Sequence, residues 1–305
     1  MFEQGPGAGA GGGAGKIGGV ELPTWTWRKM CLQKKKVVHR MRIAISALAI
    51  LLFGMACLSI AHLSIVSGKT TEPGTPRRSV VVELFTSEGC SSCPPADELL
   101  GHLRQDLSAK NIQVIPLGFH VDYWNSLGWK DRFSSAEFTQ RQEQYTHALK
   151  VDGPYTPEMV VDGEAEFVGN DAGQAQRTIR QQASQLETAQ VIIASAGADQ
   201  LNIQVKGPAG PSNSNALVML AITEDNLTTQ VFSGENGGKT LHHAAVVRDL
   251  RQVGTLKDGV IEITVPLKLE KDWTRNDLRA VVFVQQGPSG KIEGAASVAL
   301  ADQLR

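Results

Sequence analysis

Cysteine is scarce in this chain, with four residues in 305, and an excess of either charge is missing: 30 Lys and Arg face 31 Asp and Glu, a formal net charge of -1. Four cysteines are too few for a disulfide-stapled scaffold of this length. Near-neutrality excludes a global field that would gather nucleic acid, and no Lys/Arg cluster occurs outside the N-terminal fifth, so no nucleic-acid partner is expected. Internal repeats are also absent. Hydrophobic residues at 42% and charged residues at 20% are ordinary for a folded protein and exclude disorder of the whole. The length exceeds one small domain and predicts about two folded units with flanking segments.

The N-terminus holds the one long apolar run. Residues 5–15 are almost entirely glycine and alanine and have no side chains able to build a core, so 1–40 reads as a disordered Gly-rich and basic extension. Lys34, Lys35, Lys36, Arg40 and Arg42 then precede an apolar stretch, 43–66, free of Asp, Glu, Lys and Arg. Two readings fit the segment 41–66. It is long enough to stay as a membrane anchor, with its basic flank on the cytoplasmic side. Alternatively, a start at Met41 gives a short basic head, an apolar middle and small residues Ser59 and Ala61 before a cut, which is a signal peptide. Either reading predicts an exported protein, periplasmic or extracellular, with residues 43–66 as the anchor if no cut is made.

Export changes the meaning of the cysteines. Cys31 and Cys57 fall in the N-terminal segments, which leaves Cys90 and Cys93 for the folded part. A pair two residues apart closes too small a loop to remove much unfolded-state entropy, so it is poor as a staple and better explained as chemistry.

Beyond a polar linker at 67–78, residues 79–86 read as a strand, and the cysteine loop follows at once. Leu99, Leu100, Leu103 and Leu107 are spaced as on a helix, opened by Pro94 and Pro95 where the first turn needs no N–H partners. A second strand at 112–119, a helix from a capping box at Ser134 to Glu137, an Asp162-Gly163 hairpin and a helix over 171–186 complete the order β-α-β-α-β-β-α. From 188 to 305 helical spacing gives way to alternating strands at 191–195, 201–205, 216–223, 260–267, 280–284 and 295–300, read as a β-sandwich-like domain.

The order over 79–187, with the cysteine pair at the first strand-to-helix junction, resembles thioredoxin-like proteins. The expected fold is therefore an α/β thioredoxin-like domain followed by an all-β sandwich-like domain. A cysteine just before a helix is favoured as thiolate by the helix dipole, and in Cys-x-x-Cys motifs the thiol pKa falls from about 8.5 to roughly 3.5–7.5. Cys90 is assigned as the exposed nucleophile and Cys93 as the resolving thiol, a redox disulfide with no cofactor. Proteins of the thioredoxin-like class place a cis-proline opposite the cysteines, which here falls on Pro157, with Thr156 offering its backbone to a substrate chain. They also keep a buried acid near the first strand, a place taken by Glu83, although a glutamate there also fits a solvent-facing position. The crowded loop 119–131 supplies His120, Asp122, Trp124 and Trp129 as candidate tuning or substrate-binding groups, unless it packs over the domain by its own aromatics. Glu88 is expected to be an exposed loop acid. His242 and His243, adjacent on a strand, point to opposite faces and so seldom share a metal; one is expected to face the first domain and the other solvent.

Residues 81–97, 120–129, Tyr155-Thr156-Pro157 and 235–242 together resemble a secreted bacterial family described as domain of unknown function 1223. The resemblance spans both predicted domains and implies an exported thioredoxin-like protein of unknown substrate. The leading expectation is a thiol–disulfide oxidoreductase acting on protein or small-molecule disulfides or thiols with an unidentified redox partner. Two others compete: a copper-handling protein using Cys90, Cys93 and His120, and a redox-sensing interaction module without enzymatic activity.

Overall fold

The computed structural model describes residues 78–107, 111–207 and 216–303. The Gly-rich extension, the signal or anchor segment, Cys31, Cys57 and the linker up to residue 77 lie outside the described residues. Among the described residues no helix is long and apolar enough to cross a membrane. All of them belong to one compact unit, Glu72–Arg305.

Strand β1 (Arg78–Thr86) leads to helix α1 (Pro94–Asp106), β2 (Ile112–His120), helix α2 (Ala136–Leu149), the hairpin β3 (Glu158–Val161) and β4 (Ala165–Val168), and helix α3 (Ala172–Ala183). Thereafter come β5 (Gln190–Ser195), β6 (Gln200–Lys206), β7 (Ala216–Glu224), β8 (Leu227–Gln230), β9 (Thr240–His243), β10 (Val246–Leu256), β11 (Val260–Pro266), β12 (Leu278–Gln286), β13 (Ile292–Ala299) and a last turn, α4 (Leu300–Gln303). Helix α2 is capped by Ser135, whose side chain accepts from the Glu137 N–H, so the cap falls one residue after the expected Ser134. Asp162 and Gly163 turn the β3–β4 hairpin with φ of 47° and 69°.

The expected pair of domains, an α/β thioredoxin-like unit and a separate sandwich, is not what forms. The molecule is mainly β, built on one mixed eight-stranded sheet of order β13-β12-β7-β10-β2-β1-β3-β4, with few helices. The strand that overturns the expectation is β10, which pairs antiparallel with β7 and touches β2 in parallel at Val246 and Gly118, so both halves of the chain share one sheet. Two register shifts, between Val247 and Asp249 and between Gln252 and Gly254, break its alternation, which hides it from a period-two reading. A three-stranded sheet, β11-β6-β5, packs on the β7–β12 part, and the β8–β9 hairpin lies against α1.

Alternation along β1 sorts its side chains between two cores. Val80, Val82 and Leu84 pack with α1 and α3, while Val81 and Phe85 join a core that includes Phe119, Phe138, Tyr145, Val247 and Phe283 and so draws on both halves of the chain. Within this second core Glu83, wholly buried, is held by Arg141 through Nε to Oε2 at 2.6 Å and Nη2 to Oε1 at 3.0 Å. The Tyr145 hydroxyl donates to Glu83 Oε1 at 2.7 Å, and Gln285 of β12 donates to that hydroxyl and accepts from Arg141. Burial works against the Arg141 charge, but the Glu83 carboxylate outweighs it and holds the guanidinium above its ordinary value.

Replacing Arg141 by Met would leave a buried carboxylate unpaired. The expected loss is about 3–5 kcal/mol, read by denaturant unfolding, with both halves melting in one transition because they share one sheet. Two separated transitions would contradict that sheet.

Candidate functional site

The end of β1 feeds a tight loop in which Cys90 N–H donates to Ser87 O at 3.2 Å, and Cys93 then caps α1, with Pro94 and Pro95 in its first turn. Cys90 and Cys93 are joined as a disulfide. Ser91 and Ser92 are exposed, and Ser92 Oγ lies 3.3 Å from Cys90 Sγ. Contrary to the expected exposure of Cys90, both cysteines are fully buried.

Part of their cover comes from the second half of the chain. Buried Asn236 donates from Nδ2 to the carbonyls of Glu88 and Cys90, each at 2.9 Å, and Glu235 Oε2 accepts from the Ser91 N–H at 3.0 Å. Ser233 adds a bond to Gly128 O, and Phe232, exposed, stands 6.2 Å from the Trp129 ring. The 232–236 segment thus closes over the cysteine loop by a few polar bonds at its rim.

On the other side, the Thr156–Pro157 bond is cis. A methyl group on Gly169 would meet Leu84 Cδ1 at 2.7 Å, Pro157 Cβ at 3.2 Å and Ala96 Cβ at 3.4 Å, which places Pro157 near the first turn of the cysteine helix. Trp124 bridges the two loops: its Nε1 donates to Thr156 Oγ1 at 2.8 Å, and its Cβ would lie 3.1 Å from a Cβ at Gly89. Thr156, Pro157 and Trp124 are therefore gathered around the disulfide loop. Glu158, next to the proline, is buried, accepts from Gln142 at 2.7 Å and leaves Oε1 without a partner. Burial pushes its carboxyl up to about 7.

Glu83 does not belong with the cysteines. It points to the face away from α1 and is bound to Arg141. Asp122 is turned to α2, where it accepts from the Thr139 hydroxyl at 2.6 Å. His120 is buried, with Nδ1 at 2.6 Å from Asp131 Oδ2, and its ring lies 5.0 Å from that of His243. Burial opposes a charged His120, yet Asp131 outweighs it and holds the ring above its ordinary value, while His120 in turn keeps Asp131 low against its own burial. Of the adjacent pair, His243 is buried toward these groups and His242 is exposed.

Glu88, expected to be exposed, is fully buried: its N–H donates to Asp131 at 2.8 Å and its Oε2 accepts from Trp129 Nε1 at 2.7 Å. His243 Nε2 lies 3.4 Å from Glu88 Oε1, close enough for an ion pair but without hydrogen-bond alignment. Asp97, Asp131 and Asn236 join the site without a strong mark in the sequence. The available signals were the four-residue step from Cys93 to Asp97 and the Asn within the 235–242 motif. Among the described residues no group of three or more His, Cys, Asp or Glu is arranged to hold a metal ion, so the copper reading of Cys90, Cys93 and His120 gains no support.

Residues 81–285 match the family described as "Protein of unknown function (DUF1223)". A crystallised protein of Agrobacterium tumefaciens is 31% identical, covering 72% of this chain and 93% of its own, with a TM-score of 0.58. HBP35 of Porphyromonas gingivalis, at 19% identity, 75% and 77% coverage and a TM-score of 0.58, shares the fold. No curated protein matches the chain.

Two outcomes are expected here. Asn236→Ala removes two buried bonds, each worth about 1 kcal/mol, and should speed reduction of the disulfide by a soluble phosphine several-fold; an unchanged rate would show that the 236 segment does not control access. Because the folded Glu158 carboxyl is raised above its ordinary 4.5, the folded state holds the extra proton. The stability tied to that proton is complete below about 4.5 and is lost as pH rises through about 7. Glu158→Gln should flatten this part of the stability–pH curve and raise stability at pH 8 in chemical denaturation.

Proposed function

We propose that this chain, which belongs to the DUF1223 family of proteins of unknown function, is an exported thiol–disulfide oxidoreductase working through the Cys90–Cys93 couple. The carrying observation is the disulfide at the mouth of α1 with Pro157 packed near the first turn of the same helix. A disulfide closing so short a loop adds little to stability, and its place at a helix N-terminus favours a thiolate when reduced. Export rests on the basic cluster ending at Arg42 and the apolar run 43–66.

In the reducing direction Cys90 thiolate attacks one sulfur of a substrate disulfide, forming a mixed disulfide and releasing the other substrate sulfur as a thiolate. Cys93 then attacks Cys90 Sγ, the internal disulfide re-forms, and the second substrate thiolate leaves. The substrate gains two electrons and the protein dithiol loses two; an unidentified dithiol partner restores the reduced protein. The opposite direction runs through the same mixed disulfide. For either, the 232–236 segment must lift from Cys90. Thr156 would then present its backbone, and Trp124 its ring, to a protein or small-molecule disulfide.

The test is reduction of insulin or glutathione disulfide by the folded, exported form, followed with a dithiol regenerant. Activity should fall at least a hundredfold in Cys90→Ser, and Cys93→Ser should accumulate the mixed disulfide, visible by mass. Equal turnover in wild type and Cys90→Ser rejects the proposal.

A further inference from the structure

Beneath the cysteine loop lies a set of buried ionisable groups that the proposed chemistry has not yet used. Asp97 on α1, Glu88 in the loop after β1, His120 at the end of β2, Asp131 before α2 and His243 on β9 are all buried. Their bonding is incomplete: His243 Nδ1 has no hydrogen-bond partner, and Glu88 Oε1 meets His243 Nε2 at 3.4 Å without hydrogen-bond alignment. Buried polar atoms with incomplete bonding are costly and call for an explanation, a chemical role among them.

Asp97 is the member tied to the sulfurs. It follows Cys93 by four residues, and its N–H donates to Cys93 O at 3.1 Å, so the two side chains leave the helix on the same side, one turn apart. We propose that Asp97 is the proton acceptor for the Cys93 thiol, working beside His243 and the His120–Asp131 pair. The assignment rests on the oxidoreductase reading and replaces Glu83, whose carboxylate is occupied by Arg141 on the opposite face.

Asp97 can exchange its proton with solvent through a groove. Asp97 and His243 both line a groove of about 960 Å³ between α1 and the β8–β9 hairpin, which also reaches Pro94, next to Cys93. The other charged or titratable groups along it are Glu98, His102 and His242, together with Arg104 paired to Asp225 at 2.8 Å. Burial pushes the Asp97 carboxyl up, while His243 and His120 pull it back. A carboxyl so placed binds a proton more readily than an exposed aspartate and returns it to water in the groove.

The resolving step then balances. Asp97 carboxylate takes the Cys93 thiol proton, and the thiolate attacks Cys90 Sγ. The Cys93–Cys90 bond forms as the Cys90–substrate bond breaks, the substrate sulfur leaves as thiolate, and Asp97 loses its proton to the groove.

Two measurements test this. In reduced Cys90→Ser protein, alkylation of Cys93 against pH should show two coupled steps, collapsing to one when Asp97→Asn is added. In otherwise native protein, Asp97→Asn should still form the mixed disulfide with an aromatic disulfide probe but resolve it about tenfold more slowly, with a flattened pH profile. Should Asp97→Asn not fold, His243→Gln perturbs the same set and should displace both profiles. Failure of the wild-type protein to form any mixed disulfide overturns the oxidoreductase reading and this assignment with it. A mixed disulfide that forms, with resolution and thiol titration unchanged by the substitutions, overturns the assignment alone.

Discussion

The buried pair of Glu83 and Arg141 sets the terms for the rest of the molecule. Glu83 belongs to β1 and Arg141 to α2, and the Gln285 side chain that completes their bonding comes from β12, 144 residues further on. Desolvating two charges is expensive, and such a pair seldom adds net stability over apolar packing. What it does is penalise every arrangement in which either partner is buried alone. Since Phe119 and Phe283 both lie 5.5 Å from the guanidinium carbon, the strands that carry them are confined to one register around it. The two halves of the chain are thereby committed to one sheet.

That commitment explains how the cysteine loop acquires its surroundings. With β10 seated beside β2, the segment before it, 232–243, is brought over the start of α1, where it supplies Asn236 and Glu235 to the loop backbone and His243 to the buried groups. A small α/β unit ending near residue 187 would expose the loop and lack these three side chains. The burial of both sulfurs is thus a property of the whole sheet, and access to them depends on how firmly a few polar bonds hold the 232–236 segment.

Much of the local structure was legible. The helix behind Cys93, the Asp162-Gly163 hairpin and the cis bond at Pro157 follow from local patterns, turn chemistry and the resemblance of the motifs. The burial of Glu88 is not legible, because a glutamate beside a glycine in a loop carries no mark of burial; only Asp131, Trp129 and His243, distant in the sequence, make it tolerable. Glu83 was placed in the right strand, yet the face it occupies gives it to α2 instead of the cysteines.

By itself, the sequence determined the elements up to residue 186, most of the later strands, the position of the cysteine pair at a helix start and the family, because these depend on period, turn residues and short motifs. The tertiary structure alone decided that there is one sheet, that both sulfurs are covered, and that Glu88 and His243 are buried beneath the cysteine loop. The joining strand β10 is irregular, with two register shifts and polar residues along its length. Its place is set by packing against β7 and β2, contacts that no local pattern encodes.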